Sequence, residues 1–388
     1  MTYDVLVDLS SLDTSSRYTG TGRYVHELGV ALHQLSEPER RGLHIGALTA
    51  VDGPAPIGTL DWPGSAELRY QPAREAAWLM DRRLRLPWTL RRLKPRLFHA
   101  TYHMGTPRGS GVPRVVSCLD LIRLVRHEEY LPGRWAYRRV LAAAEAARFH
   151  AATRVLAISQ HTADDLVRLL RVPARKVDVA LLGVDLERYH PFEGAEAEAA
   201  GAARARHGLR ERGYLFYMGL ADPRKNVDVL IAAFARAKLE GLELIIIGKQ
   251  READMRRIEA ALDAAGHPPS VRLLGFVPED DLPAIIEGAL AFVFCSTYEG
   301  FGNVPVEAMA CGCPVIHTGL TSLRETVADA GLVVPARDVA ATAAAIRRVA
   351  TEGSLYAELR RAGLARAARF SWKNTALGTV DCYLNALR

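Results

Sequence analysis

The 388-residue sequence has little cysteine, few aromatic residues and no long apolar run. Its five cysteines are odd in number, and only Cys311 and Cys313 are close together, without the second pair or histidine cluster of a metal site. Reduced thiols are therefore expected. No stretch reaches the roughly 18 consecutive apolar residues of a membrane span, and no basic segment precedes the first apolar run. The sequence predicts a cytoplasmic protein with neither signal peptide nor membrane span.

The composition is that of a folded protein, with 49% hydrophobic and 24% charged residues. Because single cores stop growing at roughly 250 to 300 residues, two domains are expected. The net charge of +6 favours an anionic partner, which could be nucleic acid, anionic lipid or a phosphorylated small molecule.

Short apolar runs alternate with segments of helical spacing, which predicts an α/β fold with parallel sheets covered on both faces. The predicted strands are 5–9, 45–49, 97–100, 115–118, 155–159, 177–182, 214–218, 242–247, 271–274, 291–295 and 315–317. Residues 191–208 contain no large apolar side chain after Phe192, so the domain boundary is placed there. The predicted parts are a first domain 1–190, a linker 191–212, a second domain 213–370 and a final helix 371–388.

Two glutamates lie in a glycine-rich segment that follows an apolar strand and reads Y-E-G-F-G-N-V-P-V-E from 298 to 307. Gly300 and Gly302 allow close approach to the backbone, and the N–H groups at a helix start favour negative charge or hydroxyl oxygens. Glu299 and Glu307 are therefore predicted at the carboxyl edge of the sheet, where they suit a polyhydroxylated ligand. Taken singly, a helix-favouring acid at 307 and a solvated loop acid at 299 are equal alternatives.

A cationic loop follows the strand 214–218 and contains Arg224 and Lys225, with Asn226 at the start of a predicted helix. Two cations beside a helix N-terminus suit a diphosphate, because Arg binds bidentately and Lys acts as a point charge. A surface turn would have the same sequence features, so that alternative stays open.

A glycine pair, Gly20 and Gly22, lies between the first strand and a predicted helix with an apolar stripe beginning at Val25. Such a pair allows an anion to approach the backbone, but it is not the G-x-G-x-x-G dinucleotide fingerprint. An ordinary loop would look similar.

Together these segments resemble the retaining glycosyltransferases of family four, which share the GT-B fold. The resemblance covers nearly the whole chain, and its most specific feature is the spacing of Glu299 and Glu307 in the E-G-F-G frame. It implies two facing Rossmann-like domains with parallel sheets and a C-terminal crossover helix that packs back on the first domain. It further implies a retaining hexosyltransferase that uses GDP-mannose or a UDP-sugar, as in polysaccharide biosynthesis, with a glycan, lipid-linked or small-molecule hydroxyl as acceptor.

The resemblance also implies a role for each site residue. Arg224 and Lys225 would hold the donor diphosphate, Glu307 the ribose and Glu299 the transferred sugar, so Glu299, Arg224 and Lys225 are the predicted catalytic residues. Val277, in the loop 275–278, would meet the base. Further donor-binding residues are expected at Gly20, Gly22, Gly300, Phe301, Gly302, Asn303 and Val304.

Two positions depart from the family pattern. Leu220 stands where many members have Arg, and Leu119 stands where many have His. Asp120 and His103 are the candidates for the acceptor side. A structural acid at a strand end is an equal alternative for Asp120, and lone histidines are more often packing or surface residues.

The sequence has no D-x-D motif, so neither a metal nor a cofactor is expected. Arg224, Lys225 and the N-termini of helices would instead stabilise the leaving nucleoside diphosphate. Retention in this family is ascribed to front-face attack, so no side-chain general base is assigned. A catalytically inactive sugar-nucleotide-binding module and a nucleotide-sugar epimerase or phosphorylase remain as alternatives. Nucleic acid is not an expected partner, since no interleaving of basic and aromatic residues matches a known module.

Basic residues cluster from Arg82 to Arg96, interleaved with leucines and Trp88. An amphipathic basic stretch suits an anionic lipid surface, which would make the protein peripheral at the inner face of the membrane. The alternative is a solvated helix face whose apolar side packs in the core.

Overall fold

The computed structural model describes residues 3–13, 19–50, 66–68, 75–102, 106–107, 109–130, 133 and 135–388. Contacts divide the chain into two compact units. The first comprises Met1–Gly183 with Trp372–Arg388, and the second comprises Val184–Ser371. Among the described residues, no helix is both long and apolar enough to cross a membrane.

The strands of the described chain have two to six residues each. They are β1 (Val5–Asp8), β2 (Ile45–Ala50), β3 (Ala66–Leu68), β4 (Leu97–Ala100), β5 (Arg114–Cys118), β6 (Arg154–Ala157), β7 (Val177–Val179), β8 (Tyr214–Met218), β9 (Glu243–Ile247), β10 (Val271–Gly275), β11 (Ala291–Phe294), β12 (Val315–His317) and β13 (Leu332–Val333).

The α-helices alternate with these strands over most of the chain. They are α1 (Gly20–Gln34), α2 (Glu75–Leu93), α3 (Ile122–Val125), α4 (His127–Tyr130), α5 (Trp135–His150), α6 (Gln160–Leu170), α7 (Gly194–Arg206), α8 (Val227–Ala237), α9 (Glu252–Ala264), α10 (Leu282–Glu287), α11 (Asn303–Ala310), α12 (Leu323–Thr326), α13 (Val339–Thr351), α14 (Gly353–Ala367) and α15 (Trp372–Leu387).

The first unit is built on one parallel sheet of order β3-β2-β1-β4-β5-β6-β7. All residues of β1 and β4 are buried, and so are all but the first residue of β5 and of β6, as expected where both faces of a parallel sheet are covered. The C-terminal helix α15 packs on α1 and on β4 to β6. It buries Val380 and Tyr383 in this unit, so the end of the chain completes the first core.

The second unit has a parallel sheet of order β10-β9-β8-β11-β12-β13. Strand β8 lies between β9 and β11, so the strand order reverses at β8. The loops after β8 and β11 therefore leave the same carboxyl edge in opposite directions, which creates the crevice where open α/β sheets bind ligands. These are the loops that carry Arg224 and Glu299.

The predicted parallel α/β organisation is confirmed in both units. Two edge strands, β3 and β13, were not predicted, because runs of three and two residues give no apolar pattern. The structure also begins α1 at Gly20, so Gly20 and Gly22 lie in the first helical turn rather than in a loop.

The segment 191–212, predicted as a linker, contains α7 and lies in the second unit. Ala200 and Ala203 bury the small apolar face of this helix near Ala284. Arg204 is buried with them, and its guanidinium pairs with Glu287 at 3.1 Å. The helix packs through alanines and a buried ion pair, which a search for large apolar residues does not detect.

Candidate active site

The loop after β8 is joined to the loop after β11 through the backbone of Arg224. This residue lies in a single 3₁₀ turn, Pro223–Lys225, in which the Asp222 carboxylate accepts a hydrogen bond from the Arg224 amide. The Arg224 carbonyl accepts from the amide and the hydroxyl of Thr297, at 2.9 and 3.0 Å. Asn226 donates to the carbonyls of Arg224 and Cys295. The two loops therefore form one connected edge of the sheet.

The side chains of Arg224 and Glu299 form an ion pair at this edge. Nη1 of Arg224 donates to Oε1 of Glu299 and to the carbonyl of Tyr298, the latter at 2.9 Å. The hydroxyl of Ser296 also donates to Oε1 of Glu299, at 2.8 Å. Only 13% of the arginine side chain and 11% of the glutamate side chain are exposed. Because removing one member would leave a charge largely desolvated, the pair fixes both side chains in place.

Lys225 is the neighbouring cation, and its side-chain ammonium makes no hydrogen bond or ion pair with any described residue. Its ammonium lies 5.9 Å from the ring centre of Tyr217 and 5.7 Å from that of Phe294. Desolvation lowers the pKa of Lys225 below its ordinary value, and the nearby Glu299 opposes that shift. A bound anion would pair with the ammonium and offset the cost of its desolvation, so Lys225 suits a phosphate ligand.

Gly219 provides the space that Lys225 occupies. A Cβ atom at residue 219 would lie 2.5 Å from the lysine Nζ, and the backbone φ of +117° is one that side chains rarely adopt. A glycine at the end of β8 is therefore required for the lysine to reach the sheet edge.

The glycine-rich segment after β11 is held by hydroxyl side chains from the loop after β12. Thr321 accepts from the Glu299 amide at 3.0 Å, and Ser322 donates to the carbonyls of Glu299 and Phe301. Gly302 precedes α11 with a φ of +96°, which favours glycine. This geometry presents the first N–H groups of α11 at the same edge as Arg224, as the sequence predicts.

The other residues of the glycine-rich segment lie just before α11 and in its first turns. Gly300 and Phe301 are buried, and Gly302, Asn303 and Val304 are half-buried. The amide oxygen Oδ1 of Asn303 is buried and has no hydrogen-bond partner in the described chain. Glu307 is the fifth residue of α11 and is buried with 2% of its surface exposed. Burying a carboxylate costs free energy unless it is hydrogen-bonded or paired, a cost that a helix-favouring acid on an exposed face would not have.

A cavity of about 310 Å³ lies beside this edge, between the ends of β9 and β10. Its lining includes Gly275, which has a φ of +65°, and Phe276. The Val277 side chain is buried, with 4% of its surface exposed. A contact of Val277 with a base would therefore use its backbone.

The first unit places its predicted residues in different settings. Asp120 accepts from the amide of Ile122 at 3.0 Å, a local turn contact that matches its structural alternative. His103 lies outside the described residues. His99 is fully buried and hydrogen-bonded to Tyr383 and Ser117, so it belongs to the core.

Sequence reasoning missed the polar residues that support this edge. Gln250 accepts from the Ala221 amide at 2.8 Å and donates to the carbonyls of Gly219 and Gly248, so it ties the loop after β9 to the loop after β8. Ser296 and Ser322 support Glu299 in the same way. The feature of the sequence that could have identified these three residues is that each is polar and lies in a loop that follows a predicted strand. Across the described ranges, no group of three or more His, Cys, Asp or Glu side chains is placed to hold a metal ion.

Two family models match the chain, and together they span most of it. Residues 18–188 match Glycosyltransferase Family 4, and residues 201–366 match Glycosyl transferases group 1. An O-antigen chain mannosyltransferase B of Escherichia coli is 30% identical over 378 residues, which cover 94% of this chain and 96% of that protein. A D-inositol 3-phosphate glycosyltransferase of Salinispora arenicola is 34% identical over 248 residues, which cover 61% of this chain and 55% of that protein.

Solved structures share the fold at low sequence identity. A sucrose-phosphate synthase of Thermosynechococcus elongatus has a TM-score of 0.75 at 22% identity, with 98% of each chain covered. Anabaena HepE, solved in complex with UDP and glucose, has a TM-score of 0.74 at 16% identity, with 98% of each chain covered. The predicted GT-B fold class, with two Rossmann-like units and parallel sheets, is confirmed.

Proposed function

The chain belongs to the family 4 glycosyltransferases, and from that membership we propose that it moves a hexose from a nucleoside-diphosphate sugar to a hydroxyl acceptor with retention of configuration. The observation that supports this most directly is the buried Arg224–Glu299 pair beside the ammonium of Lys225, which pairs with no carboxylate among the described residues. Cations, a carboxylate and a helix N-terminus meet at one sheet edge, which suits a ligand with both phosphates and hydroxyls.

Each residue at this edge has a proposed role. Lys225 and Arg224 neutralise the donor diphosphate as its bond to the sugar breaks, and Glu299 orients the sugar while holding Arg224. The buried Glu307 binds the ribose hydroxyls. The amides of Phe301, Gly302 and Asn303 complete the sugar site. Such preorganised charges stabilise a leaving group because they need no reorganisation during the reaction.

GDP-mannose is the first donor to test, and UDP-sugars are the second. The similarity to an O-antigen chain mannosyltransferase supports mannose, and it also supports a hydroxyl of a growing glycan as the acceptor. Lipid-linked and small-molecule acceptors have the same reacting hydroxyl and belong in the same panel.

Transfer is tested by measuring nucleoside diphosphate release with and without acceptor, and by assigning the anomeric configuration of the product by NMR. We expect release that depends on acceptor and a product with the donor's configuration. An inverted product would overturn retention. Isomerised donor formed without acceptor would identify an epimerase, and binding without turnover across the acceptor panel would identify an inactive binding module.

We further propose that transfer needs no metal ion, because Arg224 and Lys225 supply the positive charge that a diphosphate requires. Activity should therefore survive EDTA, measured as initial rate before and after chelation. Loss of turnover that Mg²⁺ or Mn²⁺ restores would contradict this proposal.

A membrane-facing role is proposed for α2 and the residues that follow it. Leu86 and Leu90 are buried, whereas 67% of Leu84 and 61% of Trp88 are exposed. The guanidinium of Arg92 lies over the Trp88 ring, 5.8 Å from its centre. Exposed apolar side chains beside basic ones suit an anionic lipid surface such as the cytoplasmic leaflet. Arg82 and Arg83 lie in α2, and their side chains are not among those described.

A further inference from the structure

The cavity between the ends of β9 and β10 is mostly apolar and adjoins the proposed diphosphate site. Ile246, Met255 and Leu273 contribute to its lining, and the cavity volume is about 310 Å³. Gln250 also lines the cavity and is hydrogen-bonded to Ala221, in the loop after β8 that contains Lys225. If the proposed function holds, a donor whose diphosphate meets Lys225 can place its base in this cavity.

Phe276 gives the cavity a flat apolar face. It follows Gly275 at the end of β10, and 75% of its surface is exposed. A large exposed aromatic side chain in a cavity lining suits stacking on a heterocyclic base. Stacking on an aromatic ring tolerates every base, however, so Phe276 cannot distinguish one base from another.

Two polar side chains line the same cavity, and only one is available to a ligand. Both ends of the Gln250 amide are engaged by the backbone of residues 219, 221 and 248. Lys249 is exposed, and it makes no hydrogen bond or ion pair with any described residue. The ammonium carries three donors and no acceptor, so it discriminates between ligand edges that accept and edges that donate.

We propose that Lys249 selects the base of the donor by donating to a ring carbonyl oxygen. Guanine presents an acceptor oxygen at ring position 6 and thymine-type pyrimidines present one at position 4, whereas adenine and cytosine present amino donors at those positions. Lys249 therefore favours guanine and uracil nucleotides over adenine and cytosine nucleotides. This selection is independent of Arg224 and Lys225, which meet the diphosphate common to all four.

Pairs of nucleotides in which this carbonyl is replaced by an amino group, with loss of the proton on the adjacent ring nitrogen, test the proposal. Inosine diphosphate is compared with ADP, and UDP with CDP, by calorimetry on the full-length protein. The wild type should bind the carbonyl member of at least one pair about tenfold more tightly. Lys249→Met should reduce that ratio to about one, and Lys249→Arg should preserve most of it because it keeps the donor.

Lys238→Met is the matched control, since it removes an exposed ammonium of the same unit beyond the far end of α8. It should leave every ratio unchanged. A wild-type ratio near one in both pairs, or a ratio that Lys249→Met leaves intact, overturns the proposal. An equal loss for both members of a pair in Lys249→Met also overturns it, because Lys249 would then contact the phosphates. Failure of all four nucleotides to bind the wild type would instead overturn the proposed function, and this inference with it.

Discussion

At the scale of single residues, the two glutamates of the glycine-rich segment differ in their surroundings. Glu299 is paired with Arg224 and accepts from Ser296, whereas Glu307 is buried on α11. Under the proposed roles, Glu307 meets the ribose, which stays with the leaving nucleotide, and Glu299 meets the sugar that is transferred. Substitutions at the two positions should therefore have different effects.

Glu307→Gln should weaken binding of the free nucleoside diphosphate and of the intact donor by similar factors, because the ribose contact exists before and after transfer. Glu299→Gln keeps an acceptor oxygen for Arg224, so nucleoside diphosphate affinity should stay nearly constant. Its kcat/KM should fall on the order of 10²-fold if the sugar contact tightens in the transition state. Calorimetry and initial rates measure both effects. Equal losses of nucleotide affinity in the two folded variants would show that these roles are assigned wrongly.

His99 gives the first unit a pH-dependent stability. Burial lowers the pKa of His99 to about 3 in the folded protein, from an ordinary value of 6.5. Between pH 3 and pH 6.5 the unfolded chain binds a proton at His99 that the folded chain does not bind. The contribution of neutral His99 to the free energy of unfolding is therefore complete above pH 6.5 and is lost as the pH falls toward 3. The slope from this residue is at most about 1.4 kcal/mol per pH unit.

His99→Gln should flatten the fall in stability below pH 6.5, because the amide still donates and accepts but does not titrate. All the tryptophans of the chain, at positions 62, 78, 88, 135 and 372, belong to the first unit, so tryptophan fluorescence during urea unfolding follows that unit alone. An unchanged slope in His99→Gln would contradict the burial argument.

At the scale of elements, the loop between β8 and α8 depends on a glycine. Gly219→Ala places a Cβ atom 2.5 Å from the Lys225 ammonium, which must then move. Nucleoside diphosphate affinity should fall about tenfold or more, measured by calorimetry. Gly266→Ala is the control, since Gly266 also has a positive φ, +75°, but has open space around its Cβ position. Gly266→Ala should lower the stability of the protein without changing its nucleotide affinity. An equal loss of affinity in both variants would show that the effect of Gly219→Ala does not come from displacement of Lys225.

The elements also show which features the sequence can predict. Interior strands such as β8 and β11 are continuous apolar runs, so their positions followed from the pattern. The Arg224–Glu299 contact did not follow, because it joins residues 75 positions apart whose proximity depends on the strand order β8-β11. Gln250 was missed for the same reason, since Gly219 and Ala221, to which it is hydrogen-bonded, lie on another loop. Motif spacing identifies residues that can bind a ligand, whereas strand order determines which of them meet.

At the scale of the whole molecule, the net charge is +6, which is more positive charge than Arg224 and Lys225 of the proposed donor site contribute. Some of those near α2 have partners within the first unit. Arg91 donates to the carbonyl of Gly109, and Arg96 pairs with Asp4 at 2.9 Å. Arg92 and Lys94 are exposed, and Arg92 lies over the exposed ring of Trp88. These two cations, with Leu84 and Trp88, are the side chains best placed to meet lipid.

Vesicles that contain anionic lipid should therefore sediment the protein, and vesicles of neutral lipid should not. Each basic side chain near an anionic surface contributes about 1 kcal/mol, so the double variant Arg92→Glu/Lys94→Glu should weaken sedimentation on the order of 30-fold or more. Leu84→Ser/Trp88→Ser should weaken it at high salt as well, because apolar insertion is not screened by ions. The control Arg236→Glu/Lys238→Glu makes the same change of charge on the second unit and should sediment like the wild type. If reversal at Arg92 and Lys94 leaves sedimentation unchanged, α2 is not the membrane-binding element, and its basic side is a solvated helix face.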